Sequence, residues 1–263
     1  RLVLLFAALA VWAVRPRSGA PRLPLAIALG ITALWALAVA GIGGHELITH
    51  IAESLRNFAW IAFLFTLHRH DATLRPPVAL VSVYAVVALL IAATVMLNVA
   101  AAAPGAVGMA FATSALLFRL LVTVAALLLL QALHRALGPG PGMGPRWIVG
   151  ALAAMWLTDF VTFSLTLLLG TWQPDLVVAR GVAMVGVAIA IAAGLQRRED
   201  SVMHVSRTVA YQSLALVAVG AYLALLAVAT SVLDTVGGEN ARVLQTAFVF
   251  GTAATMLAIG SSR

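Results

Sequence analysis

Long apolar runs recur along the whole chain, separated by short polar or glycine- and proline-rich breaks such as GPGPGMGPR at 138–146. About 20 apolar residues in helical conformation cross a hydrocarbon layer of ~30 Å, so each run predicts a membrane span. Nine are predicted, at about 2–14, 23–42, 47–67, 78–102, 109–134, 147–170, 177–194, 211–232 and 243–259. The first is too short to cross and reads as a truncated helix. It is followed by arginines, not by a small-residue cleavage site, which argues against a signal peptide. The predicted fold class is an all-α, polytopic transmembrane helix bundle, one integral membrane domain over 1–263. No internal repeat is visible, so the inverted-repeat plan of many transporters gains no support.

The third run departs from the pattern. GGHELITHIAESLRNFAW, 43–60, mixes charged and apolar residues. Glu46, Thr49, His50, Glu53, Arg56, Asn57 and Trp60 recur every three or four positions and fall on an arc of about 120°. Leu47, Ile48, Ile51, Leu55, Ala59 and Ile61 fill the rest of the helix surface. A charge at mid-bilayer costs ~3 kcal/mol or more on insertion scales, so the polar arc must face the bundle interior, a water-filled pocket or the outer interface. Glu53 and Arg56, three apart, are placed to pair. HELITH resembles a zinc-binding helix, but such a helix needs histidines four apart to stack them on one face. His45 and His50 are five apart, about 140° round the helix, and one ion is not easily held by both.

Two further charges lie deep in apolar runs: Arg119 in FATSALLFRLLVTVAALLLL and Asp159 in MWLTDFVTFSLTLLL. At ~1.5 Å per residue from the cytoplasmic helix ends, they sit roughly 24 and 18 Å deep. Spans joined by a short connection pack as antiparallel neighbours, so Arg119 can reach towards Asp159. The candidate site is one buried polar cluster of Glu53, Arg56, Arg119 and Asp159, with Asn57 and Thr158 as hydrogen-bond partners. It serves either as a ligand-sensing pocket, as an ion or proton pathway, or only to fix helix packing. In the seventh run Gly186, Ala190 and Gly194 are four apart, a spacing of small residues that lets helix backbones approach. An intramolecular packing contact is expected there, with a dimer seam as the alternative.

Arginine distribution supplies orientation. All 16 basic residues are arginine, and the net charge is +7. The odd loops carry Arg15, Arg17, Arg22, Arg69, Arg75, Arg135, Arg146, Arg197, Arg198 and Arg207; the even loops carry Arg180 and Arg242. Positive-inside bias then puts the odd loops in the cytoplasm, the N-terminus outside and the C-terminus inside. The arginines lie between apolar runs and form no single basic patch, so they signal topology and not nucleic acid.

Composition narrows the chemistry. The chain is 63% hydrophobic and 10% charged, against about 25% charged in soluble domains. Cysteine is absent, which excludes disulfides, thiolate metal sites and cysteine nucleophiles. No predicted histidine lies at mid-depth for a haem. The HRHD run (His68, His70, Asp71) reads as a solvated loop before it reads as a metal site. No phosphate-binding glycine loop and no nucleophile elbow is present, so no catalytic residue, cofactor or metal is assigned.

Several segments carry a family resemblance: SLRNFAWIAFL (54–64), LTDFVTFSLTLLL (157–169), PDLVVARG (174–181), VSRTVAYQSLALVAVGAYLALLAV (205–228) and GGENARVLQTAFVFGTA (237–253). In that order they resemble the N-terminal membrane region of the sensor histidine kinases associated with the PEP-CTERM/exosortase system, the PrsK type. The resemblance covers most of the chain from about residue 45. It implies a multi-pass domain of the bacterial inner membrane, in contact with membrane lipid and followed by cytoplasmic GAF-like and kinase domains. ATP would bind in that kinase core, which these residues do not contain, so no activity is expected of the chain itself. A cytoplasmic response regulator controlling exopolysaccharide genes is the implied partner, and a homodimer is expected because histidine kinases work as dimers. A small-molecule permease and a ligand-free membrane scaffold are the alternatives.

Overall fold

The structure, a computed structural model, describes residues 2–14, 22–68, 78–136, 143–170 and 174–196. Seven helices occupy them: α1 (Leu2–Ala13), α2 (Arg22–Gly41), α3 (Leu47–His68), α4 (Val78–Ala100), α5 (Ala106–Ala136), α6 (Met143–Leu169) and α7 (Pro174–Gln196). Among the described residues there is no strand. Each helix coincides with a predicted run, while the runs predicted at 211–232 and 243–259 lie outside the described residues. Helices α2, α4, α5, α6 and α7 are long and apolar enough to cross a membrane, which makes this a multi-pass helical membrane protein. α3 has the length, at 22 residues, but its polar arc leaves it the least hydrophobic of the seven.

Local chemistry sets where the helices start and stop. Pro24, Pro145 and Pro174 all fall in a first helical turn, where the missing N–H would have had no partner anyway. α6 ends at Gly170, whose φ of 69° is left-handed and whose N–H bonds back to the Thr166 carbonyl at 3.0 Å. Glycine adopts that conformation without strain. Hydroxyls inside the helices are satisfied locally. Thr32, Thr94, Thr123, Thr162 and Thr166 each donate to the carbonyl four residues back, at 2.7–2.8 Å. In an apolar surrounding that self-bonding avoids the cost of an unpaired hydroxyl.

Consecutive helices pack as neighbours all along the chain, α7 returns to touch α1, and α3 also reaches α5. The result is a closed ring in which α3 has partners on several sides. Leu4, Leu34, Leu89, Met96, Val182 and Ile189 point outward, whereas Trp60, Phe63, Leu129, Leu152 and Trp156 pack in the interior. Lipid is as apolar as leucine, so packing and polar contacts, not hydrophobic burial, hold such helices together. Polar contacts between helices therefore carry unusual weight in this fold.

Five of the seven residues of the predicted arc face inward, whereas Glu46 precedes α3 and is exposed, His50 is half-buried, and Ala59 and Ile61, expected on the other face, are buried too. Thr49, Glu53, Arg56, Asn57 and Trp60 are buried, while Ile48, Leu55 and Phe58 face outward. Among the described residues the packing expected at Gly186 is not found: a side chain added there would meet none of them within 4 Å. Ala190 and Gly186 instead line a groove of about 510 Å³ between α6 and α7. Only Ala190 of that pair packs against the core, and Gly194 is buried.

Candidate functional site

Five charged side chains from four helices meet inside the bundle: Glu53 and Arg56 of α3, Arg119 of α5, Asp159 of α6 and Arg180 of α7. None is more than 7% exposed. Asp159 lies between two guanidinium groups, Arg56 bonding its Oδ2 and Arg180 Nε donating to its Oδ1 at 2.7 Å. Arg180 also bonds Glu53 Oε1, which ties α7 to α3 and α6 at once. Arg56 and Glu53 approach to 3.8 Å within α3. Arg119 stands slightly apart. Its Nη1 is 3.8 Å from Glu53 Oε2, and its Nη2 donates to Asn98 Oδ1 at 2.7 Å.

Aromatic rings continue the network. The Arg56 guanidinium lies 4.4 Å from the Trp35 ring centroid and that of Arg180 lies 4.8 Å from the same ring. Phe163 relates similarly to Arg180, at 5.4 Å, and to Arg119, at 5.8 Å. Cations and rings thus alternate as Arg56, Trp35, Arg180, Phe163, Arg119. A desolvated contact of this kind contributes up to ~2 kcal/mol, which offsets the like-charge repulsion among three arginines held so close. Asn57 Oδ1 accepts from Arg56 Nη2 at 3.1 Å and from Trp156 Nε1 at 3.3 Å, and Trp60 Nε1 donates to Thr32 Oγ1 at 3.0 Å.

Three positive charges face two negative ones, so the cluster carries one surplus positive charge. Its unused hydrogen-bonding capacity has the same sign. Among the described residues, Trp35 Nε1, Arg56 Nε and Nη1, Asn98 Nδ2 and Arg119 Nε are buried donors without a partner. Among the buried side-chain atoms left unpaired, Ser164 Oγ is the one hydroxyl.

Two crevices reach the cluster. One, of about 300 Å³, runs between α1, α2, α3 and α7; it is mainly apolar and meets Glu53, Arg180 and Trp35. The other, of about 580 Å³, lies among α3, α4, α5 and α6 and reaches Arg119 and Asn98. Its rim includes His45, Glu46, Ala101 and Gly170, which belong to the connections at one end of the bundle. From that end, at ~1.5 Å per residue, Glu53 and Arg180 are each roughly 9 Å along their helices, and Arg119 roughly 20 Å.

The structure brings Glu53, Arg56, Asn57, Arg119 and Asp159 together, but three expectations are corrected. Thr158 takes no part: its hydroxyl donates to the Ala154 carbonyl on its own helix, at 2.8 Å. Asp159 is bonded by Arg56 and Arg180, and Arg119 is turned to Glu53 and Asn98 instead. Arg180, expected in an even loop, is the seventh residue of α7 and donates directly to both carboxylates of the site. Helix α7 begins at Pro174, one turn before the run predicted at 177–194, which sets Arg180 in the second helical turn instead of at the edge of the run. A proline that can open a helix was the available signal. Asn98 was hidden as a lone amide near the end of an apolar run.

Among the described residues no group of three or more histidine, cysteine, aspartate or glutamate side chains could hold a metal ion. His68 bonds Tyr84 through Nδ1 at 2.7 Å, and His70 and Asp71 lie outside the described residues. Comparison with protein-family models, curated proteins and solved structures finds no match to this chain.

Proposed function

We propose that the bundle is the membrane-embedded sensory domain of a two-component histidine kinase in a bacterial inner membrane, with the buried charge cluster as its sensing element. One observation carries the reading: a single ionic network clasps α3, α5, α6 and α7 and is reached by crevices lying toward one end of the bundle. A ligand that competes for one ion pair alters the packing of four helices together. Such a ligand shifts a two-state equilibrium only as far as it binds one state better than the other.

Two further arguments support the direction of signalling. With Arg180 inside α7, the loops at the crevice end, between α2 and α3, α4 and α5, and α6 and α7, contain no arginine. Positive-inside bias makes that end the outer one and puts the end of α7 at Gln196 on the cytoplasmic side, where ATP and a response regulator are available. The resemblance of the segments at 54–64, 157–169 and 174–181 to kinases of the PrsK type adds the output domain. One-sided access favours a receptor over a permease, which needs a path from both faces. A purely structural clasp is the second reading, favoured by the complete enclosure of Arg56 and Asp159.

The test is the full-length parent in proteoliposomes with ATP. Histidine autophosphorylation is expected, with Glu53→Gln changing its rate at least about threefold without loss of the folded protein. A parent reading frame with no phosphoacceptor helix and ATP-binding domain after Arg263, or a rate unmoved by Glu53→Gln, rejects the proposal.

A further inference from the structure

Arg119 is the surplus cation of the cluster. Arg56 and Arg180 each bond a carboxylate directly, and between them they occupy Asp159 and one oxygen of Glu53. Arg119 is left 3.8 Å from the other Glu53 oxygen, beyond direct hydrogen-bond range. Its close partner is the neutral amide oxygen of Asn98. A buried guanidinium without a matching anion is costly in an apolar surrounding. Two donors remain unspent beside it, Arg119 Nε and Asn98 Nδ2.

Arg119 and Asn98 also line the larger crevice. At about 580 Å³ it falls within the range of small-molecule sites, ~300–1,000 Å³. Thr113 and Thr166 line it with hydroxyls already donated to carbonyls of their own helices, and Met109, Leu116 and Leu167 add apolar surface. Among the described residues, the negative side chains near it are Glu46, exposed at the rim, and Glu53, already bonded by Arg180. His45 and His50 stand on the same wall as Glu46. A group with two oxygens in one plane matches a guanidinium and an adjacent amide, and a short apolar body matches the side walls.

We infer that the crevice among α3, α4, α5 and α6 is a binding site for a small monocarboxylate with an apolar body, held by Arg119 and Asn98. The acid enters from the water at the crevice rim. This deepens the sensory reading by naming the ligand class, and it rests on that reading only for the consequence of binding. On binding, the carboxylate supplies the missing negative charge and draws Arg119 away from Glu53. That loosens the tie between α5 and α3 while the clasp of Arg56, Asp159 and Arg180 stays closed.

The experiment uses the whole chain in nanodiscs of zwitterionic lipid. Binding is read by thermal shift and by calorimetric titration of hexanoate, hexanamide and, placed in the lipid, palmitate. Hexanoate over a range reaching about 10 mM should bind at least about tenfold more tightly than hexanamide. Arg119→Gln should weaken hexanoate at least about tenfold, with Arg119→Lys between the two. Asn98→Asp is the decisive variant, because it builds a carboxylate into the place of the ligand. It should abolish hexanoate binding while raising the melting temperature of the unliganded protein, so a folding defect cannot imitate it. The inference is overturned if hexanoate does not bind, if hexanamide binds equally, if palmitate alone binds, or if Asn98→Asp leaves binding intact. Hexanoate binding that leaves autophosphorylation of the parent unchanged would instead reject the sensory role and keep the site.

Discussion

Replacing Asp159 by asparagine tests whether the cluster holds the bundle together. The change keeps the size of the side chain and removes one negative charge, so a buried site with one surplus positive charge acquires two. Asp159 accepts from Arg56 through one oxygen and from Arg180 through the other. Hydrogen bonds to charged groups contribute ~1.5–3 kcal/mol each, and breaking a buried ion pair from one side costs about 3–5 kcal/mol. The amide also offers a donor where a guanidinium donor already stands. We expect Asp159→Asn to destabilise the bundle by about 3–5 kcal/mol, a large share of the ~5–15 kcal/mol typical of folded proteins. Unfolding is followed by circular dichroism in mild detergent titrated with a denaturing one. Adding Arg180→Gln removes one of the two surplus cations and should recover roughly 2 kcal/mol, a non-additivity that contact between the two residues requires. A loss below about 1 kcal/mol for Asp159→Asn, or strictly additive effects in the double variant, would refute the reasoning.

Two glycines give opposite expectations. At Gly108 an added Cβ would come within 1.9 Å of the Ala103 carbonyl oxygen, so Gly108→Ala should cost about 1–3 kcal/mol by forcing the α4–α5 turn off the start of α5; stability close to that of the native chain would show the turn to be free to move. At Gly186 none of the described residues lies within 4 Å of an added Cβ, and Gly186→Leu should be neutral within about 0.5 kcal/mol in the same unfolding assay; a loss above about 1 kcal/mol would restore the close helix contact expected from the sequence.

Much of this architecture was legible in the hydrophobic pattern because lipid imposes long, uninterrupted apolar runs on every spanning helix. The same constraint made Arg119 and Asp159 conspicuous, since an ionised side chain has few reasons to stand in such a run. Their partners were less legible. Which arginine meets Asp159 depends on the rotation of each helix about its axis, and spacing along one helix does not report the rotation of its neighbour. Arg180 stands in the first turn of the run predicted at 177–194 and was counted with the loop beside it, whereas Pro174 opens the helix one turn earlier and sets Arg180 inside. Thr158 was expected to join the cluster through its place next to Asp159, yet adjacent residues on a helix point about 100° apart. Trp35 and Phe163 were indistinguishable from ordinary core aromatics until the guanidinium groups were found on them.

Helix α5 is 31 residues long, or about 46 Å at ~1.5 Å per residue, against a hydrocarbon thickness of ~30 Å. Even with a steep tilt its excess length has to emerge into water. Arg119 holds it well short of that emerging end, leaving 17 residues to Ala136, an arm of roughly 26 Å. A pivot of about 5° around Arg119 would therefore swing the tip sideways by about 2 Å, a mechanical gain built into nothing more than helix length and the position of one anchor.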